Sequence, residues 1–266
     1  MLPERLFDAM SEQSIREADT SNWIAVLPLG ATEQHGPHLP PETDSLIAAA
    51  LADRLAHRLP AEFPLTVLPV EKVGYSPEHL DYPSTRSLPY EEAINRWIEK
   101  GRYLAGLGIR RLMLLNAHGG NSPLMTIVAT ELRVKYAMLC VATAWTRFDR
   151  SDLRLLNEAI DIHGGEIETS VMLALHPDKV DMAKAENFDS RQRCFIQDNH
   201  YLRAYGKHAF GWKMQDLNRI GVTGNAAAAN ADKGQRLIEN ATSGLALLAE
   251  DMRRFDIGLF DDQRDG

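Results

Sequence analysis

Four short apolar runs lie in the first 145 residues of the chain. They are rich in leucine and β-branched residues, which is typical of strands that other elements cover on both faces. The pattern therefore predicts four buried strands. The runs are WIAVLPL (23–29), LTVLPV (65–70), RLMLLN (111–116) and AMLCVATAW (137–145).

Helical patterns alternate with these strands. Leucine and alanine recur at helical spacing in 45–59, the segment 89–108 starts with proline and ends with glycine, and 122–136 opens with a capping serine followed by proline. Further helical patterns cover 166–177 and 232–255. Because alternating strands and helices form right-handed crossovers, we expect an α/β fold with a mostly parallel β-sheet flanked by helices on both faces.

No tandem repeat or low-complexity linker divides the chain, so we expect residues 1–266 to form a single domain. The stretch 183–230 has no clean periodicity and is predicted to be a loop-rich excursion, either a lid or a subunit contact. Four of its aromatic residues either cover a pocket or are buried between subunits, and the second is more common for such residues. They are Tyr201, Tyr205, Phe210 and Trp212.

Charge and cysteine content narrow the class of protein. The 266 residues carry 29 basic and 37 acidic side chains, a net charge of -8, which argues against binding to nucleic acid. The two cysteines, Cys140 and Cys194, make a disulfide framework improbable. The N-terminal residues show no signal pattern, and no apolar run approaches the ~20 residues of a membrane span. We therefore expect a soluble, cytoplasmic protein.

The polar stretch GATEQHGPHLPPETDS (30–45) directly follows the first apolar run. Glu33 and His35 are two residues apart, so an extended chain directs both to one side, and Asp44 follows a turn rich in proline. Ligands gather beyond the carboxyl ends of the strands in such a sheet. Imidazole and carboxylate groups together favour zinc, manganese or iron over calcium. The alternative is a polar loop whose histidines cap helices or bind the backbone.

A second motif, NAHGGN (116–121), follows the third apolar run and precedes a helix start. It places His118 on a strand-to-helix turn, where Gly119 and Gly120 allow a ligand to approach closely. Two such loops from one sheet can converge on a common site.

A third motif, DIHGGEIETS (161–170), contains His163 and Glu166 on either side of two glycines. Acidic residues are favoured in the first turn of a helix for electrostatic reasons alone. Metal binding and a purely structural role therefore both remain open for Glu166 and Glu168.

The fourth motif, GYSPEHLDYPST (74–85), follows the second apolar run and is rich in turn residues. It contains Ser76, Glu78 and His79, and its position at the same edge of the sheet suits the lining of a substrate pocket.

Together the four motifs resemble those of the creatininase (creatinine amidohydrolase) family. The resemblance extends from about Trp23 to Asp181 and more loosely to the helix that contains Lys233. It implies a creatininase-like sandwich, a metal-dependent amidohydrolase activity and assembly as a homohexamer.

The resemblance also implies a site with two divalent metal ions, zinc, manganese or both, with iron as a further candidate. Glu33 and His35 would each hold one ion, Asp44 would bridge them, and His118 would complete the ligands of the first. His163 takes the place of a histidine that assists proton transfer in creatininase.

This sequence departs from creatininase at two places. Gly119 and Gly120 stand where creatininase has tyrosine and a glutamate that binds the second metal, so we expect Glu166 to replace that glutamate or to act as the acid/base. Ala159 replaces the tryptophan that closes over creatinine, whereas Trp145 matches a pocket tryptophan. The expected substrate-binding residues are Ser76, His79, Gly119 and Trp145.

We therefore expect a hydrolase that uses a metal-activated water to cleave a C–N amide-type bond in a small molecule, either a cyclic amide or a formamide. The alternatives within the family are a keto-sugar (inosose) substrate and a peptide substrate. A non-catalytic metal-binding protein is a less favoured third class.

Overall fold

The computed structural model describes residues 1–155 and 158–260. Its central sheet has four parallel strands, as the sequence predicts. The strands are β1 (Ile24–Leu29), β2 (Leu65–Val67), β3 (Arg111–Asn116) and β4 (Leu139–Ala144). Their order in the sheet is β2-β1-β3-β4.

Helices cover both faces of this sheet, which confirms the α/β prediction. The five helices predicted from the sequence are all present, with ends that differ by at most two residues. They are α2 (Thr43–Arg58), α3 (Tyr90–Gly106), α4 (Ser122–Tyr136), α5 (Glu166–Leu175) and α8 (Ala231–Arg254); a short helix that the sequence analysis did not predict, α1 (Glu12–Arg16), precedes them.

The stretch 183–230 contains more regular structure than expected. Two short helices and a two-stranded antiparallel pair interrupt its loops, and two 3-10 turns adjoin them. The elements are β5 (Asn187–Phe188), α6 (Gln192–Asp198), α7 (Met214–Leu217) and β6 (Gly224–Asn225).

Side chains of β1 alternate between two apolar layers. Ile24 and Val26 pack in the layer beneath α2, α5 and α8, whereas Ala25, Leu27 and Leu29 pack in the layer beneath α3 and α4. Successive strand residues point to opposite faces, so a continuous apolar run fits only a strand that is covered twice. This packing holds the carboxyl ends of β1 and β3 in place beside the first turns of α2 and α5.

The crossing of α5 and α8 depends on Gly234, which is buried in α8. A β-carbon there would overlap the carbonyl oxygen of Ser170 in α5, so the two backbones approach too closely for any side chain. Gly234→Ala is expected to lower the free energy of unfolding by about 1–3 kcal/mol, because overlap with backbone forces the helices apart.

The matched control is Gly106→Ala, at the exposed end of α3, where an added β-carbon meets no described atom within 4 Å. It is expected to raise the free energy of unfolding by about 0.5–1 kcal/mol, since alanine favours the helix. Urea denaturation followed by circular dichroism measures both variants. Equal shifts in the same direction would contradict the close-packing argument.

No helix in the part of the chain that the structure describes is both long and apolar enough to cross a bilayer.

Candidate metal centre

The acidic and imidazole residues of the first two motifs meet at the carboxyl ends of the central strands. Glu33 and His35 follow β1, Asp44 lies in the first turn of α2, and His118 follows β3. All four are at least 96% buried. Burial of so many ionisable groups in one place is costly unless they bind one another or a cation.

Asp44 lies between the two imidazoles of this cluster. Its Oδ2 is 3.2 Å from Nδ1 of His118, and its Oδ1 is 3.3 Å from Nε2 of His35. Nδ1 of His118 is also 3.1 Å from Oε1 of Glu33. The two oxygens of one carboxylate thus face two different histidines, which is the placement that a bridging ligand requires.

A further carboxylate belongs to this cluster. Oε2 of Glu168, in the first turn of α5, is 3.7 Å from Nε2 of His35. Within the described residues, three groups of donor atoms lie within 4.8 Å of one another and suit a metal ion. The groups are Glu33 with His35 and His163, Glu33 with Glu78 and His118, and His35 with Asp44 and Glu168.

Several donor atoms of the cluster are buried and have no hydrogen-bond partner among the described residues. They include both carboxylate oxygens of Glu33, Nε2 of His35 and Oδ2 of Asp44. These atoms are close to one another, but their geometry does not suit hydrogen bonds. Burial of a carboxylate without hydrogen bonds destabilises the fold far more than burial of one that has them. A divalent cation would bind the lone pairs of these atoms and remove that penalty. The donor set therefore fits a metal ion.

Backbone carbonyl oxygens hold the two imidazoles in the orientation that a metal requires. Nδ1 of His35 lies 2.9 Å from the carbonyl oxygen of Glu33, and Nε2 of His118 lies 2.9 Å from that of Tyr75. A carbonyl accepts only, so the ring nitrogen at each contact donates its proton. In its neutral form, each ring directs its other, unprotonated nitrogen into the cluster, as in metal-binding histidines.

His163 is held in the same way and reaches the same carboxylate. Its Nε2 is 2.6 Å from the carbonyl oxygen of Gln34, and its Nδ1 is 3.5 Å from Oε1 of Glu33. Burial lowers the pKa of His163 well below its ordinary value, and the neighbouring His35 and His79 lower it further. The ring is therefore neutral, with Nδ1 available as a proton acceptor.

The cluster carries a surplus of negative charge. Burial opposes a charge on His35, but Asp44 and then Glu168 outweigh it and raise the pKa of His35 to about 10. Burial likewise opposes a charge on His118, and Glu33 and Asp44 raise the pKa of this imidazole well above its usual range. Without a metal, protons supply the positive charge that these carboxylates require; divalent cations would replace them.

Glu166, which the sequence led us to expect as a metal ligand or acid/base, lies elsewhere. It is fully buried, and its Oε1 accepts a hydrogen bond from the ammonium group of Lys233 in α8. Residues two apart in a helix point about 200° away from each other, so Glu168 faces His35 while Glu166 faces α8. The structure places Glu168, not Glu166, with the candidate ligands.

A cavity of about 680 Å³ opens over the cluster. Among the expected substrate-binding residues, His79, Gly119 and Trp145 line it. Ser76 does not: it is fully buried behind His118, and its Oγ lies 3.1 Å from Nε2 of that ring. Ser76 is therefore placed to orient His118 from behind the cavity lining.

The stretch 183–230 covers one side of the cavity. Tyr205, Phe210 and Trp212 line the cavity, so the pocket alternative holds for these three, whereas Tyr201 is 74% exposed. Nε1 of Trp212 donates a hydrogen bond of 2.8 Å to the carbonyl oxygen of Ala204, which fixes the indole.

The sequence does not single out two acidic residues of the site. For Glu168 it leaves metal binding and a purely structural role in the first turn of a helix both open, and it offers Glu78 only as part of a possible substrate pocket. Glu78 lies in the 3-10 turn Pro77–His79, with Oε1 3.9 Å from Nε2 of His118, and burial raises its pKa. For Glu78, the sequence signal is the fourth motif, in which this glutamate is directly followed by His79.

The fold is that of a known family. A family model described as creatinine amidohydrolase matches residues 8–249, and the chain belongs to the creatininase family. The mycofactocin precursor peptide peptidase of Mycobacterium tuberculosis is 37% identical over 221 residues, 80% of this chain and 78% of that protein. The creatinine amidohydrolase of Pseudomonas putida is 29% identical over 241 residues, 84% of this chain and 87% of that protein.

Solved structures agree with this assignment. A manganese form of creatininase has a TM-score of 0.75 and 25% identity, and covers 95% of this chain and 100% of its own. A mutant creatininase of Zn-Zn type gives the same values. Family relatives of this chain are thus hydrolases, and creatininase structures exist with manganese and with zinc.

Proposed function

We propose that this protein is a metal-dependent hydrolase that cleaves a C–N amide-type bond. The observation that carries the proposal is the convergence of buried, unpartnered carboxylate and imidazole atoms at the floor of an open cavity. Membership of a family of hydrolases supports the reaction type. The runner-up within the family is a hydrolase of a keto-sugar.

Two divalent cations, zinc or manganese with iron as a further candidate, fit the donors present. Glu33, His118 and Oδ2 of Asp44 would hold one ion, while His35, Glu168 and Oδ1 of Asp44 would hold the other. When bound, such a pair activates a water molecule and polarises the carbonyl group of the substrate.

The remaining chemistry belongs to side chains around this cluster. His163 is neutral and fixed through Nε2, so its Nδ1 can take a proton and then deliver it to the leaving nitrogen. The ring of His79 lies 4.3 Å from that of His163, which limits how far the latter can turn. Trp145, which is 97% buried, supplies an apolar wall that keeps water from one side of the cavity.

Reconstitution with defined metals tests the proposal. The chelator-treated protein is loaded with zinc or manganese, its metal content is measured by mass spectrometry, and turnover is followed on cyclic amides, formamides and short peptides. We expect two ions per chain and hydrolysis of at least one amide only after loading.

The other outcomes separate the alternatives. Product analysis that shows carbon–carbon cleavage of an inosose and no amide hydrolysis would favour the keto-sugar reading. Stable binding of metal without turnover of either class would identify a metal-binding protein, and no binding of metal would overturn the proposal.

A peptide is the amide that the cavity favours. Its volume of about 680 Å³ falls in the range of about 300–1,000 Å³ that is common for sites of drug-sized ligands. The cavity is therefore larger than a substrate with one small ring would fill. The 37% identity to a peptidase supports the same substrate class. Short peptides are therefore expected to be the best substrates in the panel.

A further inference from the structure

Two arginines line the cavity, and they differ in their partners. The guanidinium of Arg150 is paired with Glu158: Nε lies 2.7 Å and Nη2 2.6 Å from Oε1 of that carboxylate. The guanidinium of Arg147 donates a hydrogen bond of 2.9 Å from Nη1 to the carbonyl oxygen of Ala142. Within residues 1–155 and 158–260, no carboxylate lies within 4 Å of it.

Arg147 is fixed at the rim of the cavity. It ends the 3-10 turn Trp145–Arg147, which begins directly after β4, at the same edge of the sheet as the candidate metal centre. Trp145 is buried in the cavity wall, whereas Arg147 is exposed. The bond to Ala142 holds the planar guanidinium on the edge strand and uses one of its five N–H donors.

The charges of the cavity make this arginine distinctive. Apart from the paired Arg150 and the imidazoles of the cluster, the other charged side chains that line it are carboxylates. They are Glu33, Asp44, Glu78, Glu158, Asp161 and Glu168. An exposed guanidinium that has no carboxylate partner among the described residues, on the lining of an otherwise acidic cavity, is suited to bind an oxyanion through paired N–H groups.

We propose that Arg147 binds an anionic group of the substrate, a carboxylate or a phosphate, and so orients its amide bond toward the acidic floor. This inference rests on the proposed function for the reacting end of the substrate. It adds a substrate class: amides that carry a negative charge on the part that remains near the rim.

Binding measured by isothermal titration calorimetry tests Arg147 without turnover. The probes are N-acetylphenylalanine, its neutral C-terminal amide and phenyl phosphate, titrated into metal-loaded and into chelator-treated protein. The variants are Arg147→Gln, which removes the charge, and Arg147→Lys, which keeps it but loses the planar fork. Arg16→Gln, on the exposed face of α1, is the matched control.

We expect Arg147→Gln to weaken binding of at least one anionic probe by about tenfold, the loss typical of a charge-assisted hydrogen bond. The neutral amide should change by less than about twofold, Arg147→Lys should retain part of the affinity, and Arg16→Gln should match the wild type. The probe that responds more strongly, carboxylate or phosphate, identifies the anionic group.

Three results would overturn the inference. They are equal binding of the acid and its amide by the wild-type protein, equal weakening of all probes by Arg147→Gln, and unchanged binding of all probes by that variant while the anions bind only to metal-loaded protein. Because no hydrolysis is measured, failure here leaves the proposed activity to be judged by the reconstitution experiment alone.

Discussion

Asp44→Ala is expected to abolish hydrolysis and to remove most of the bound metal. The two oxygens of Asp44 face His118 and His35 at 3.2 and 3.3 Å, so one substitution removes a donor from both proposed ion sites. We expect activity to fall at least about a thousandfold, which corresponds to the several kcal/mol that metal ions contribute to such reactions. Metal content by mass spectrometry and turnover of the best amide substrate are the two measurements.

Glu42→Ala provides the matched control, two residues earlier in the chain. Glu42 is exposed at the start of α2 and makes no side-chain capping bond. Its variant should keep both metal content and activity within about twofold of the wild type, since exposed substitutions of this kind change little. Full metal occupancy in the Asp44→Ala protein, with a native circular dichroism spectrum, would rule out the bridging role.

Glu168→Gln and Glu166→Gln are expected to change different properties of the protein, although the two residues lie in the same helical turn. The first should lower metal content and activity, and the second should lower stability. Glu168 lies 3.7 Å from Nε2 of His35, so its loss should lower the metal content by about half and strongly reduce activity. Its melting temperature without metal should not fall, because Glu168→Gln removes one of several crowded carboxylates.

Glu166→Gln should instead lower the free energy of unfolding and leave metal content unchanged. The carboxylate of Glu166 is fully buried against Lys233, whose side chain is 23% exposed, so its removal leaves a partly buried ammonium group without this partner. We expect a cost of about 1–3 kcal/mol, discounted for that exposure. Loss of metal in Glu166→Gln but not in Glu168→Gln would restore Glu166 as the ligand.

The strands and most helices could be predicted because their signals are local. An apolar run such as 111–116 has a period and composition that only a covered strand explains, and proline and glycine marked the ends of α3. The start of α2 was harder. The sequence predicts a helix from Ser45, whereas the helix begins at Thr43, so that Asp44 lies in its first turn. The prolines just before this helix make its exact start hard to predict.

The cluster of the candidate metal centre can be predicted in part from the sequence, and the parts that cannot be predicted have a physical cause. Glu33 and His35 belong to one short segment, so spacing alone placed them together. The choice between Glu166 and Glu168 depends on which side of α5 faces the strands, and packing against α8 decides it. Contacts such as that between His35 and Glu168 join residues far apart in the chain, which no local pattern reports.

Other expectations stay predictions. A single domain, a homohexameric assembly, a cytoplasmic location and the absence of nucleic-acid partners were inferred from composition or resemblance. Size-exclusion chromatography with light scattering measures the assembly directly.

The backbone acceptors behind the imidazoles have a consequence for how this site can vary. His35, His118 and His163 are each oriented by a main-chain oxygen, those of Glu33, Tyr75 and Gln34. Glu33 is itself a candidate ligand, but the side chains of Tyr75 and Gln34 can be exchanged without deleting the oxygen that orients an imidazole. The loops can therefore diversify toward new substrates while the imidazoles stay aligned, and only a change in the path of the main chain would misalign them.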